Sequence, residues 1–89
     1  MNTVEAIKTA LATLNPQQLD IQDDSDKHAG HAGNTGGGHY TVLIVSDAFA
    51  GLPLLKRHRM VFDLVDDLMQ SQIHALSIKA KTPDEIHGA

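Results

Sequence analysis

The stretch His39-Tyr-Thr-Val-Leu-Ile-Val-Ser46 decides the fold of this chain. Its β-branched and aromatic residues fall on both alternating faces, which is typical of a central strand that is covered on both sides at least in part. Such a strand needs a neighbouring strand on each edge and helices against its faces. These elements are therefore expected on either side of it in the sequence.

Two weaker strand signals flank the central one. Leu19 and Ile21 alternate with polar residues, which predicts a half-buried strand before it. Residues 73–80 alternate again and predict a third strand near the end of the chain. The first two strands can form an antiparallel hairpin with a long loop, because they are consecutive in the chain.

Three helical signals complete the pattern. Apolar residues at helical spacing predict a first helix over about residues 3–14 and a longer amphipathic helix over 54–68, and Thr82-Pro83 has the form of a capped start to a short terminal helix. A strand, crossover helix and strand normally run parallel. The order α-β-β-α-β-α thus predicts an α+β fold with a three-stranded mixed sheet and helices packed against it, in a single domain over 1–89.

Composition excludes several kinds of function. The chain has 89 residues and no cysteine, which removes disulfides and a thiolate nucleophile, and no serine lies in a nucleophile-elbow motif, so we expect no enzyme. A net charge of −4 opposes nonspecific attraction to nucleic acid. Without a run of roughly 20 apolar residues or a secretory signal pattern, we expect a cytoplasmic protein with no membrane association.

Histidines carry the chemical signal in a chain without cysteine. A glycine-rich loop over about residues 25–38, expected to be flexible, contains His28 and His31, and His74 opens the third predicted strand. A fixed imidazole and a movable one could hold a metal ion if the fold brings them together, whereas the simpler reading is a structural hydrogen bond. His39 and His87 are weaker candidates for metal ligands. Two imidazoles cannot complete a structural zinc site, which needs four ligands. They therefore predict half of a metal site that is shared with another molecule.

The only basic cluster is Lys56-Arg57-His58-Arg59, within the predicted amphipathic helix. It is read either as a solvated helix face or as a contact surface for nucleic acid or an acidic partner. In the second case the contacts would be Lys56, Arg57 and Arg59.

Four linked motifs together resemble the BolA family over nearly the whole chain: Phe49-Ala-Gly51, Arg57-His-Arg-Met-Val61, Ile73-His-Ala-Leu76 and Thr82-Pro-Asp-Glu85. The resemblance implies a fold like the class II KH domain. It also implies a monothiol glutaredoxin as partner and a 2Fe-2S cluster shared with that partner and glutathione, with none in the isolated chain. The implied protein ligands are His74 and, from the loop, His28, with His31 as the alternative.

The resemblance implies a non-enzymatic adaptor in iron–sulfur cluster assembly, trafficking or iron sensing. Alone, the chain is expected to be a monomer or a weak homodimer. The alternative is a DNA-binding transcriptional regulator that uses the basic helix around Lys56–Arg59, an activity also attributed to this family.

Overall fold

The computed structural model describes residues 2–25 and 38–87, and the order of elements agrees with the sequence prediction except that two helices stand where one was predicted between the second and third strands. Short 3-10 turns follow the first helix and the second strand. The helices and strands are α1 (Thr3–Leu11), β1 (Gln18–Asp23), β2 (Gly38–Val45), α2 (Leu54–Leu64), α3 (Asp66–Ser71), β3 (Ile73–Lys81) and α4 (Pro83–Ile86).

The sheet has the order β1-β2-β3, so the strand predicted to be central is central. β1 and β2 are antiparallel, and β2 and β3 are parallel, as expected for a hairpin followed by a helical crossover. The parallel register has one irregularity: Gly38 lies opposite Ile73, but His39 lies opposite Ala75. His74 therefore has no partner residue in β2. It is an extra residue at the start of β3 and forms a β-bulge.

The core lies between the helices and one face of the sheet. Along β2, buried Tyr40, Val42 and Ile44 alternate with half-buried residues of the other face. A 3-10 turn after β2 adds Phe49, which is fully buried. The buried cluster consists of Ile7, Leu11, Tyr40, Val42, Ile44, Phe49, Val61, Val65, Ile73 and Ala80.

The amphipathic helix predicted over 54–68 is not continuous. α2 ends at Leu64, Val65 leaves helical geometry with φ −107° and ψ 15°, and α3 begins at Asp66. Asp66 and Asp67 both stand in the first turn of α3. Negative charge there is favoured by the helix dipole and would be disfavoured in the last turn of one long helix. We attribute the break between α2 and α3 to this preference of acidic residues for the start of a helix.

Helix ends elsewhere follow the sequence signals. The Asn2 side chain accepts a hydrogen bond from the Glu5 amide and caps α1. Thr82 and Glu85 form a reciprocal capping box at the start of α4, with Pro83 at its first position. Among the described helices, none combines the length and apolar character that crossing a bilayer requires.

Candidate functional site

His74 meets a second histidine at one edge of the sheet. The rings of His39 and His74 have centroids 5.1 Å apart and planes inclined by 43°. His74 is exposed and His39 is half-buried. Because β2 and β3 are parallel neighbours, their first residues lie at the same edge, and the bulge at this point brings the two rings together.

The bulge also corrects one expectation from the sequence. Strict alternation along residues 73–80 would place His74 on the same face as Leu76 and Ile78. Those two side chains pack against the core, whereas His74 is exposed and lies beside His39. An extra residue in a strand shifts the alternation at that point, so the face of His74 could not be predicted from the period alone.

Hydrogen bonds tie down both ends of the loop next to this pair. The Asp24 amide donates to the His39 carbonyl oxygen at 2.7 Å, and the His39 amide donates to Ser25 Oγ at 3.2 Å. The Thr41 hydroxyl donates to the Asp24 carboxylate at 2.7 Å. The chain thus leaves and re-enters the sheet beside His39. His28 and His31, the predicted loop ligands, lie outside the described residues, so their positions relative to His74 stay a prediction.

Gly38 fits a tight position beside the histidine pair. A Cβ atom built on Gly38 would come within 2.5 to 2.8 Å of the Tyr40 ring and hydroxyl. The ring of Tyr40 is 7% exposed and belongs to the core, so it has little room to move. The Gly38 amide also donates to the Gln72 carbonyl oxygen at 3.1 Å. Glycine at this position therefore leaves room for the Tyr40 side chain against the start of β2.

The described residues do not close a metal site by themselves. Within 2–25 and 38–87, no group of three or more histidine, cysteine, aspartate or glutamate side chains could hold a metal ion. Two adjacent imidazoles are nevertheless good ligands for iron, zinc or copper. Their chemistry fits a metal group whose remaining ligands come from the loop or from another molecule.

The basic cluster is only partly a surface feature. Lys56 and Arg59 are exposed, but Arg57 is buried. Arg57 Nε donates to the Leu52 carbonyl oxygen at 2.8 Å, and Nη1 donates to the Ala80 carbonyl oxygen at 3.1 Å. Our assignment of Arg57 as a nucleic-acid or partner contact is corrected, because its guanidinium is used inside the fold.

The same guanidinium binds the carboxylate of Glu85. Its two terminal nitrogens donate to the two Glu85 oxygens at 2.7 and 3.2 Å. These hydrogen bonds, with a further one from the Thr82 amide, lower the pKa of Glu85 from 4.5 to about 2. Arg57 thus connects α2 with the end of β3 and with α4.

An open groove of about 410 Å³ lies between α2 and the outer strand β3. Its surface is mostly apolar, with lysines on the β3 side. The exposed Leu54, 60% accessible, stands at its α2 side. The groove is lined by Leu54, His58, Ile78, Lys79, Ala80 and Lys81.

Strand order, mixed strand direction and four helices define this chain as an α+β protein with a three-stranded mixed sheet, with histidines at the starts of two parallel strands. The model of the family described as BolA-like protein matches residues 11–85. The chain therefore belongs to the BolA family, as its motifs predicted.

Known proteins agree with this membership. The chain is 49% identical over 79 residues to SufE-like protein 1, chloroplastic/mitochondrial, of Arabidopsis thaliana, with 82% of this chain and 21% of that protein covered. It is 47% identical over 76 residues to Protein BOLA1, chloroplastic, of the same plant, with 81% and 48% covered. The chain thus spans at most about half the length of these relatives. The solved structure of BolA1 from Arabidopsis thaliana matches with a TM-score of 0.84 and 42% identity, covering 96% of each chain.

Sequence reasoning singled out His74 as a candidate ligand and gave His39 a weaker claim, whereas the structure places the two rings side by side. A usable signal was present, because both histidines stand at the starts of predicted strands and a crossover connection makes such strands parallel. Parallel strands that are neighbours begin at the same edge. The sequence did not reveal that a bulge at the start of β3 would bring the two rings together.

Proposed function

We propose that this chain is a non-enzymatic adaptor that works with a monothiol glutaredoxin in iron–sulfur cluster assembly, trafficking or iron sensing. Membership of the BolA family and similarity to SufE-like protein 1 fit a role in iron–sulfur biology. The proposed setting is the cytoplasm, and the proposed cargo is a 2Fe-2S cluster shared between the two proteins. The partner and glutathione would contribute the thiolates that this cysteine-free chain lacks.

The observation that carries the proposal is the position of His74. Its imidazole is exposed at the edge of the sheet where the 26–37 loop is anchored, so a partner can approach it. In the proposed complex His74 is one ligand, and His28 is the loop ligand, with His31 as the alternative. A rigid strand would hold the first ligand while the loop brings the second.

The chemistry of imidazole suits a cargo that must be released. When bound, the cluster supplies redox-active iron, and histidine ligation in place of thiolate raises its reduction potential. Imidazole can also be protonated in the physiological pH range, whereas its neutral form is the ligand. A site with two histidines from this chain would therefore respond to redox state and pH.

Reconstitution tests the proposal directly. The full chain is mixed with a monothiol glutaredoxin, glutathione, iron and sulfide, and the cluster is followed by visible absorption and circular dichroism. His74→Ala should alter the visible spectrum, because one iron ligand is lost. The matched controls are His58→Ala on α2 and His87→Ala after α4, which should leave the spectrum as in the unsubstituted complex. A spectrum unchanged by His74→Ala refutes the assignment.

The loop ligand needs its own comparison. His28→Ala and His31→Ala are assembled separately with the same partner. We expect the larger spectral change for His28→Ala. A larger change for His31→Ala would move the assignment to that residue, and no change for either would remove the loop from the coordination sphere.

A second candidate function, DNA-binding transcriptional regulation, is favoured by exposed basic side chains on α2 and on β3. Lys56 and Arg59 are exposed on α2, and exposed Lys79 and Lys81 line the groove on β3. Contacts from these side chains to phosphates would weaken with salt. A duplex titration at two salt concentrations tests the idea: it fails if nothing binds at low salt, or if binding is indifferent to salt and to Arg59→Ala.

A further inference from the structure

We propose that His39 and His74 form a two-histidine binding site for a divalent transition-metal ion, Zn²⁺ being the probe of choice, on the chain without its partner. The site differs from the cluster site proposed above in its second ligand, which is the half-buried His39 of β2 instead of a loop histidine. It uses only side chains that the structure describes.

The separation of the rings matches chelation of one ion. With metal–nitrogen bonds of about 2.0–2.1 Å and a roughly tetrahedral angle, two imidazoles on one zinc ion have ring centroids about 5 Å apart. The observed separation is 5.1 Å, and the inclination of 43° keeps the rings from stacking face to face.

The backbone places the two residues side by side before any ion binds. His39 is fixed from both sides, through its amide to Ser25 and its carbonyl oxygen to Asp24. His74 is held by the bulge where β3 begins. Because the backbone at both positions is already fixed, only side-chain freedom is lost on binding, which favours chelation.

The chemistry of the two side chains selects the class of ion. Neutral imidazole suits zinc, copper and nickel better than calcium or magnesium, which prefer oxygen ligands. Since His74 is exposed, an ion can enter from solvent. Water would complete the coordination, so the site should bind reversibly and more weakly than a closed four-ligand site.

A regulatory consequence follows, and it rests on the proposed function. His74 cannot serve the Zn²⁺ ion and the shared cluster at the same time, so the two should compete. Zn²⁺ added to the unsubstituted chain before reconstitution should slow cluster assembly with the glutaredoxin, and a chelator should restore it.

The test of the site uses the chain alone. Zn²⁺ is titrated into the full chain while calorimetry gives the affinity and long-range ¹H–¹⁵N spectra follow the imidazole nitrogens. We expect the rings of His39 and His74 to shift together at one equivalent. His39→Ala and His74→Ala should each weaken binding at least about tenfold, since even loss of an outer-shell partner costs about that much. His58→Ala and His87→Ala should bind Zn²⁺ as the unsubstituted chain does.

Zn²⁺ affinity unchanged in His39→Ala overturns the proposal. His39→Gln serves as a second variant if the alanine variant does not fold, because it keeps a polar side chain of similar length without the imidazole. The proposal is equally overturned if His28→Ala or His31→Ala abolishes binding while the His39 ring stays unshifted in the unsubstituted chain.

The two proposals can fail independently. If His74→Ala abolishes Zn²⁺ binding but leaves the glutaredoxin complex spectrally unchanged, the ion site stands and the cluster assignment fails. If His74→Ala alters the cluster but His39→Ala leaves Zn²⁺ affinity intact, the cluster assignment stands and the ion site fails.

Discussion

Replacing Arg57 with alanine should destabilise the fold by about 3 kcal/mol. Arg57 is 7% exposed, and its guanidinium donates to the carbonyl oxygens of Leu52 and Ala80. Hydrogen bonds with a charged partner contribute about 1.5–3 kcal/mol each, and we take the lower bound for both carbonyls because water can reach the space that alanine leaves. The ion pair with Glu85 adds little to this figure, since the carboxylate side chain is 43% exposed and solvent screens it.

Thermal and urea unfolding followed by circular dichroism measure the loss. For a domain of 60–100 residues, about 3 kcal/mol corresponds to a fall in Tm of roughly 12–24 °C. Lys56→Ala is the matched control on the same helix, because an exposed substitution should stay within about 0.5 kcal/mol. Arg57→Lys should be intermediate, as it keeps the charge but not the planar fork. A loss for Arg57→Ala no larger than that of Lys56→Ala would refute the structural role of this side chain.

Three further predictions test other contacts. The pKa of Glu85 is about 2 in the fold and 4.5 ordinarily, so the stabilisation from its ionised form is present above pH 4.5 and lost as pH falls toward 2; Glu85→Gln should flatten this part of a stability–pH profile. Gly38→Ala should cost about 1–3 kcal/mol in urea unfolding, because the new methyl group overlaps the Tyr40 ring, and it should shift the imidazole resonances nearby. Thr82→Ala removes the cap of α4 and should cost about 1 kcal/mol, measured in the same way; an unchanged midpoint would show that the cap is dispensable.

The sheet could be predicted from sequence because each strand carries its own local signal. The two-sided apolar pattern of 39–46 indicated the central strand, and alternation located the other two. The helical break at Val65 could not be predicted in this way. Apolar spacing continues smoothly through 54–68, and only the charges of Asp66 and Asp67 indicate a new helix start.

The basic cluster shows a second limit of prediction from the sequence. Four consecutive polar or charged residues read locally as a solvated face, yet Arg57 is buried within them. Its burial depends on acceptors from three separate segments, namely Leu52, Ala80 and Glu85. No window of sequence contains all of these partners, so the role of Arg57 becomes visible only when the segments meet.

The proposed role in metal handling does not require the described residues to enclose a metal ion. The described residues provide two imidazoles at an exposed edge and no group of three ligands, so a metal group held there depends on the 26–37 loop, solvent or a partner for its remaining bonds. Fewer protein ligands mean weaker retention, and a ligand that can be protonated adds a route to release. A chain meant to store a metal would enclose it with its own side chains. The placement of His74 on a strand, beside the anchored ends of a loop, therefore agrees with the proposed role of holding a cluster only while the proposed partner is bound.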